Sequence, residues 1–148
     1  MSTPPAVLMA ELIMSIDRMI RSAETAQSVA GQWAPQVVLG HISQVDEQVW
    51  IPRIGLMCQA QADGKPAPEF TWWEPDARAT EQKFQSHSIP DVAAVAMAMR
   101  TQLLTVIRDL AAEQWGATAK HETFGVIDVA ALIIEVLTHD EEHRASLV

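Results

Sequence analysis

The chain has 148 residues, with 19 acidic against 10 basic side chains and a formal net charge of −9. Its hydrophobic fraction of 49% and its six glycines describe one globular domain over residues 1–148 rather than a disordered chain. The acidic balance, with no basic stripe anywhere, argues against a nucleic-acid backbone or an anionic membrane surface as partner.

A single cysteine, Cys58, rules out an internal disulfide framework and suits a reducing, cytoplasmic compartment. The opening Met-Ser-Thr-Pro-Pro has no signal-peptide pattern. The longest apolar run, Gly125 to Leu137, is broken by Asp128 and Glu135 and is too short to span a bilayer.

Four segments carry helical periodicity, and they predict an all-α, four-helix bundle. The first opens at Thr3-Pro4-Pro5, where a cap residue and proline suit a first turn, and runs to about Ser28 on a stripe of Val7, Leu8, Leu12, Ile16, Met19 and Ile20. The second follows Trp33-Ala34-Pro35 and continues through Val38, His41, Ile42, Val45 and Val49, with Pro52 expected to kink or end it. A connection from about Gln59 to Ser88 comes next, holding Gly64, Pro66, Pro68, Pro75 and the Trp72-Trp73 pair. Its length marks the one long crossover of the bundle. The tryptophans there are either a lid or an anchor for the crossover.

The third helix opens at Ser88-Ile89-Pro90-Asp91 and reaches about Ala112 through Val95, Met99, Leu103 and Val106. The last is capped by Asp128 and reaches the C-terminus. Strand signals are nearly absent: there is no tyrosine, no sustained two-residue alternation and no Asn-Gly turn. The last helix is apolar on more than one side (Ile133, Ile134, Val136, Leu137), which predicts cover from a second copy or from the crossover.

Chemistry concentrates in Thr138-His139-Asp140-Glu141-Glu142-His143-Arg144. Histidines four apart stack on one helix face and can aim two nitrogens at one ion. His41, on the inward face of the second helix with Val38 and Val45, offers a third imidazole; a buried, hydrogen-bonded core histidine is the alternative. Three inward histidines from two helices make a facial set for zinc, nickel or ferrous iron with one position left open.

Other candidates rank lower. His139-Asp140 with His143 differs from the zincin pattern, because aspartate stands where the general-base glutamate belongs and no third ligand follows. Asp46, Glu47 and Glu141 fall off the histidine faces and are expected in solvent, whereas Glu142 lies nearer the metal side. His87 and His121 are expected at the surface, with His121 at a pocket rim. Cys58 has no histidine partner and reads as inert. The methionines, Met97 and Met99 among them, read as core or interface filling.

The segments Gly40-His41-Ile42-Ser43-Gln44-Val45-Asp46-Glu47 and His139-Asp140-Glu141-Glu142-His143 resemble the metal motifs of the DinB/YfiT superfamily. His121-Glu122-Thr123-Phe124-Gly125 resembles that family's approach to its second motif, and Trp33 stands where the family often has tryptophan. The resemblance covers about residues 5 to 148. It implies a four-helix bundle with one crossover, a divalent metal (zinc or nickel first) on His41, His139 and His143, and a homodimer. It also implies a small-molecule reaction, either transfer of a low-molecular-weight thiol or hydrolysis. A non-catalytic ligand-binding or stress-response module is the rival. An anionic thiol would need basic groups near the pocket, such as Arg53, Arg100 or Lys120. Glu135 stands one turn before His139, where relatives sometimes carry histidine; it is a ligand, an orienting partner of an imidazole, or a buried acid paired with arginine.

Overall fold

Proline and cap residues start the helices where the sequence places them, in a computed structural model that describes residues 3–148. Pro5 opens α1 (Pro5–Thr25) and Pro35 opens α2 (Pro35–Val45), each at a position where a missing N–H is harmless. Ser88 caps α5 (Ile89–Arg108) by accepting from the Asp91 N–H at 3.2 Å, and Asp128 caps α6 (Val129–Ser146) by accepting from the Ala131 N–H at 2.8 Å. These helices, with α3 (Ile51–Ala62) continuing α2, form the expected four-helix bundle with its crossover between the second and third rods.

Pro52 does not end the second rod. Residues Asp46–Trp50 widen into a π-helical turn, in which the Ile51 N–H bonds the Asp46 carbonyl, and α3 then continues. Proline cannot make the regular bond to a carbonyl four residues back and its ring collides with that group, so the turn before it loosens by one residue.

The crossover carries a short helix, α4 (Ala77–Phe84), within the predicted linker. Its Phe84 ring lies where a side chain on residue 40 would begin: a Cβ built on Gly40 would sit 2.2 Å from it. Glycine beside His41 therefore lets the crossover dock directly on α2. The second departure is a three-stranded sheet of β1 (Glu69–Phe70), β2 (Thr118–His121) and β3 (Gly125–Asp128), in that order. β1 runs parallel to β2, with Phe70 in register with His121. β2 and β3 form an antiparallel hairpin closed by Glu122, Thr123 and Phe124, with Gly125 at φ +73° taking the left-handed position. Four-residue strands are too short for two-residue alternation to show.

Inside the bundle a polar layer divides the core. One apolar cluster holds Leu8, Leu12, Ile54, Leu103 and Leu132. The other holds Ile16, Met19, Leu39, Ile42 and Ala96. Between them lie Ser15, Asp46, Arg100 and Asp140, one from each rod and all buried. All five guanidinium N–H groups of Arg100 have acceptors. Asp46 accepts from Nε at 2.8 Å and Nη2 at 3.2 Å, Asp140 from Nη1 at 2.8 Å and Nη2 at 3.0 Å, and the Leu12 carbonyl from Nη1 at 3.2 Å. The Ser15 hydroxyl adds a bond to Asp140 at 2.8 Å.

Two expectations fail here. Asp46 is fully buried rather than solvated, because α2 is covered by α1, α4 and α5 and has no solvent side at that level. Arg100 belongs to this layer, where the two carboxylates hold its charge and it has no donor to spare for a pocket. Of the apolar residues on α6, Ile133 and Val136 are buried within the chain, and Ile134 stays exposed. Among the described residues, no helix is long and apolar enough to cross a membrane.

Candidate metal centre

His41 on α2 and the pair His139 and His143 on α6 come together where the two rods face each other. Each offers a ring nitrogen such that the three atoms lie within 4.8 Å of one another. The ring centroids of His41 are 5.3 Å from His139 and 4.6 Å from His143, and the last two are 4.6 Å apart. Helical i,i+4 stacking makes the pair, and α2, which packs on α1 and α5, supplies the third ring from across the bundle.

Their protonation is set by the same packing. Burial and the two neighbouring imidazoles push His41 down to about 3; burial, His143 and Arg100 push His139 down to about 4. Burial lowers His143 as well, against the pull of Glu142 and Asp140. All three rings are therefore neutral near pH 7, the form that donates a lone pair. The Nδ1 atoms of His41 and His139 are buried and have no hydrogen-bond partner among the described residues. Buried polar atoms left in this state are uncommon and costly, and an ion between the rings is the kind of partner that neutral imidazoles satisfy. The donor set fits a divalent metal.

The cluster opens on a cavity of about 550 Å³, within the range of small-molecule sites. Four tryptophans line it. Trp33 and Trp73 flank His41, with ring centroids at 5.2 and 6.4 Å, and Trp50 lies 6.1 Å from His139. Trp72 meets His121 at 5.0 Å and Phe124 at 5.4 Å. Trp72 is also an anchor: its backbone N–H donates to the Glu122 carboxylate and its indole N–H to the Thr123 hydroxyl, both at 2.8 Å. Trp72 thus anchors the crossover to the hairpin, and both Trp72 and Trp73 line the cavity.

Glu135 lines the cavity half-buried, with its carboxyl pushed up by burial and by Glu142. It is outside the set that shares the 4.8 Å cluster, and among the described residues it has no ion pair. Glu142 lines the cavity too, while Glu47 and Glu141 are exposed as expected. Arg53 reaches the cavity wall, as the sequence reading asks of it; Lys120 is exposed on β2 outside the lining. Cys58 is half-buried away from the lining, its thiol pushed up by burial, and His87 is exposed.

His121 is the residue that sequence reasoning underrated. It is 6% exposed and lines the cavity, because the hairpin turns it inward while Lys120 and Glu122 face out. The available signal was a glycine four residues beyond it, at the end of a run long enough for two short strands.

A helical bundle with a histidine-lined hollow between two of its rods is the class these features define. The chain belongs to the DinB superfamily, whose sequence pattern matches residues 10–147. Among solved structures it is similar to YfiT from Bacillus subtilis, described as a probable metal-dependent hydrolase with an unusual four-helix bundle topology. That similarity has a TM-score of 0.68 at 16% identity over 95% of this chain and 82% of that one. It is also similar to the mycothiol-dependent maleylpyruvate isomerase (TM-score 0.68, 8% identity) and to a mutant of it (TM-score 0.66, 9% identity). Both of those likenesses cover 98% of this chain, which spans only 61% of the isomerase's length. No curated protein matches the sequence.

Proposed function

We propose that the protein is a divalent-metal protein whose His41, His139 and His143 hold zinc or nickel, leaving a position open toward the cavity for a small-molecule reaction. The observation that carries the reading is the triad itself: three neutral imidazoles from two helices, two with unpartnered buried nitrogens, at the base of an aromatic cavity. A divalent ion held there supplies Lewis acidity, which makes a water or a thiol a nucleophile near neutral pH. The chain's own residues do the rest. The tryptophans and Phe124 exclude water around an apolar substrate body, and Glu135 and Glu142 stand on the α6 face beside the histidines to accept a proton from the nucleophile.

Of the two chemistries, transfer of a low-molecular-weight thiol is the one we favour, supported by the mycothiol dependence of one structural neighbour. Hydrolysis, supported by the description of YfiT, uses the same three ligands and differs only in what enters. The test is turnover of electrophilic substrates by zinc- and nickel-loaded protein with mycothiol, bacillithiol, glutathione or no thiol. Thiol-dependent consumption that any one of His41→Ala, His139→Ala and His143→Ala abolishes is the expected result. Ligand binding that survives all three substitutions, with no turnover, would instead make the chain a binding module.

A further inference from the structure

One wall of the cavity brings three side-chain donors together. Arg53 on α3 is half-buried with its guanidinium stacked 4.7 Å from the centre of the Phe70 ring. Its Nη2 donates to the Thr71 carbonyl at 2.6 Å, and no carboxylate among the described residues lies within ion-pair distance of it. Phe70 is in register with His121, so the arginine and the histidine are neighbours across β1; burial first and then the positive charge of Arg53 lower the His121 pKa, against the opposing charge of Glu122.

The tautomer of His121 follows from its turn. Its Nδ1 accepts from the Thr123 N–H at 3.1 Å and, more weakly, from the Phe124 N–H at 3.5 Å, which leaves the proton of the neutral ring on Nε2. A third donor stands one helical turn before Arg53. The Trp50 indole N–H is buried at the cavity with no partner among the described residues, in a residue 9% exposed. An orphaned donor in an apolar wall is costly unless a ligand satisfies it.

We propose that Arg53 and His121, with Trp50 beside them, form a subsite for the carboxylate of a small, flat, apolar acid whose body lies against Trp72 and Phe124. The subsite rests on the reading of this cavity as the substrate site and assigns the class of molecule that enters it. The geometry divides the work. His121 takes its ring contacts from Trp72 and Phe124, whereas the triad takes its contacts from Trp33, Trp50 and Trp73, so the acid end and the reacting end of a ligand meet different walls. The acids of the lining are Glu135 and Glu142 on α6 beside the histidines and Glu74 on the crossover, and Glu122, whose charge also reaches His121, spends a carboxylate oxygen on the Trp72 N–H. A charge-assisted hydrogen bond discriminates against a neutral isostere.

The test is calorimetric titration of the full chain with 2-naphthoate and with 2-naphthamide, a matched acid and neutral amide, before and after loading with zinc. The acid is expected to bind roughly tenfold tighter or more in both states. Arg53→Gln should shrink that preference to under about threefold while leaving the amide affinity in place, and His121→Phe should shrink it partway. If Arg53→Gln fails to fold, the wild-type comparison and His121→Phe still decide. Equal affinity for acid and amide, no binding of either at millimolar concentration, or a preference indifferent to both substitutions would overturn the subsite. A preference that appears only with zinc would overturn it as well, by putting the carboxylate on the metal. Failure of zinc to bind, with the acid preference intact, would sink the metal reading and spare the subsite.

Discussion

The histidine triad and the arginine layer are built on the same two rods and differ in one respect. His41 and Asp46 are five residues apart on the second rod, and His139 and Asp140 are adjacent on α6. At Arg100 every donor has an acceptor and the surrounding space is filled by core. At the histidines two buried nitrogens have no partner and the space is hollow. Turning by one residue along α6 passes from a closed polar network to an open one. A closed network specifies how four helices line up; an open one is shaped for something that is not part of the chain.

The largest effect should come from breaking the closed side. Arg100→Met leaves Asp46 and Asp140 buried without their cation and should destabilise the fold by roughly 3–5 kcal/mol, read from denaturant midpoints. A loss under about 1 kcal/mol would mean that the layer is not what aligns the rods.

The open side should answer to protons. The folded-state values of about 3 for His41 and about 4 for His139 lie below the ordinary value of 6.5. Unfolded chains therefore take up protons first as pH falls. The stability is full above about pH 6.5 and declines toward pH 4, by up to about 1.4 kcal/mol per pH unit for each such histidine. Comparing metal-free wild type with His41→Ala cancels the other titrating groups, Asp46 among them. The variant should show the shallower slope, and parallel curves would remove burial of neutral histidines from the account.

Added zinc should restore what the open network lacks. At a hundredfold excess over its dissociation constant, it should raise the unfolding free energy of wild type by about 2.7 kcal/mol and leave His143→Ala unmoved. The last effect concerns the crossover that roofs the cavity. Gly40→Ala forces the Phe84 ring to move and should cost about 1–3 kcal/mol, with Phe84→Leu in the same chain recovering part of it.

Much of this contrast was legible before any fold was known. Proline at the helix starts, Ser88 and Asp128 at caps, and apolar spacing gave the rods, because these signals act within one turn. His139 and His143 were legible for the same reason, four residues being one turn of helix. Arg100 was visible in principle as the one cation within the stripe Val92, Ala96, Leu103 and Ile107. Its partners Asp46 and Asp140 are 54 and 40 residues away, and nothing local announces such pairing. Asp46 was misjudged because angular distance from His41 means solvent only for a helix with one buried side. His121 was underrated because its inward turn depends on a hairpin of four-residue strands and on pairing of β2 with β1, where its partner Phe70 is far away in the sequence.

The central claim is that the open side holds a metal, and elemental mass spectrometry of untagged protein tests it most directly. Wild type should carry close to one zinc or nickel per chain, and His143→Ala should carry almost none while its denaturant midpoint in metal-free buffer stays near that of wild type. Metal-free wild type that gains no stability from added zinc or nickel would contradict the account, as would metal retained undiminished by His143→Ala.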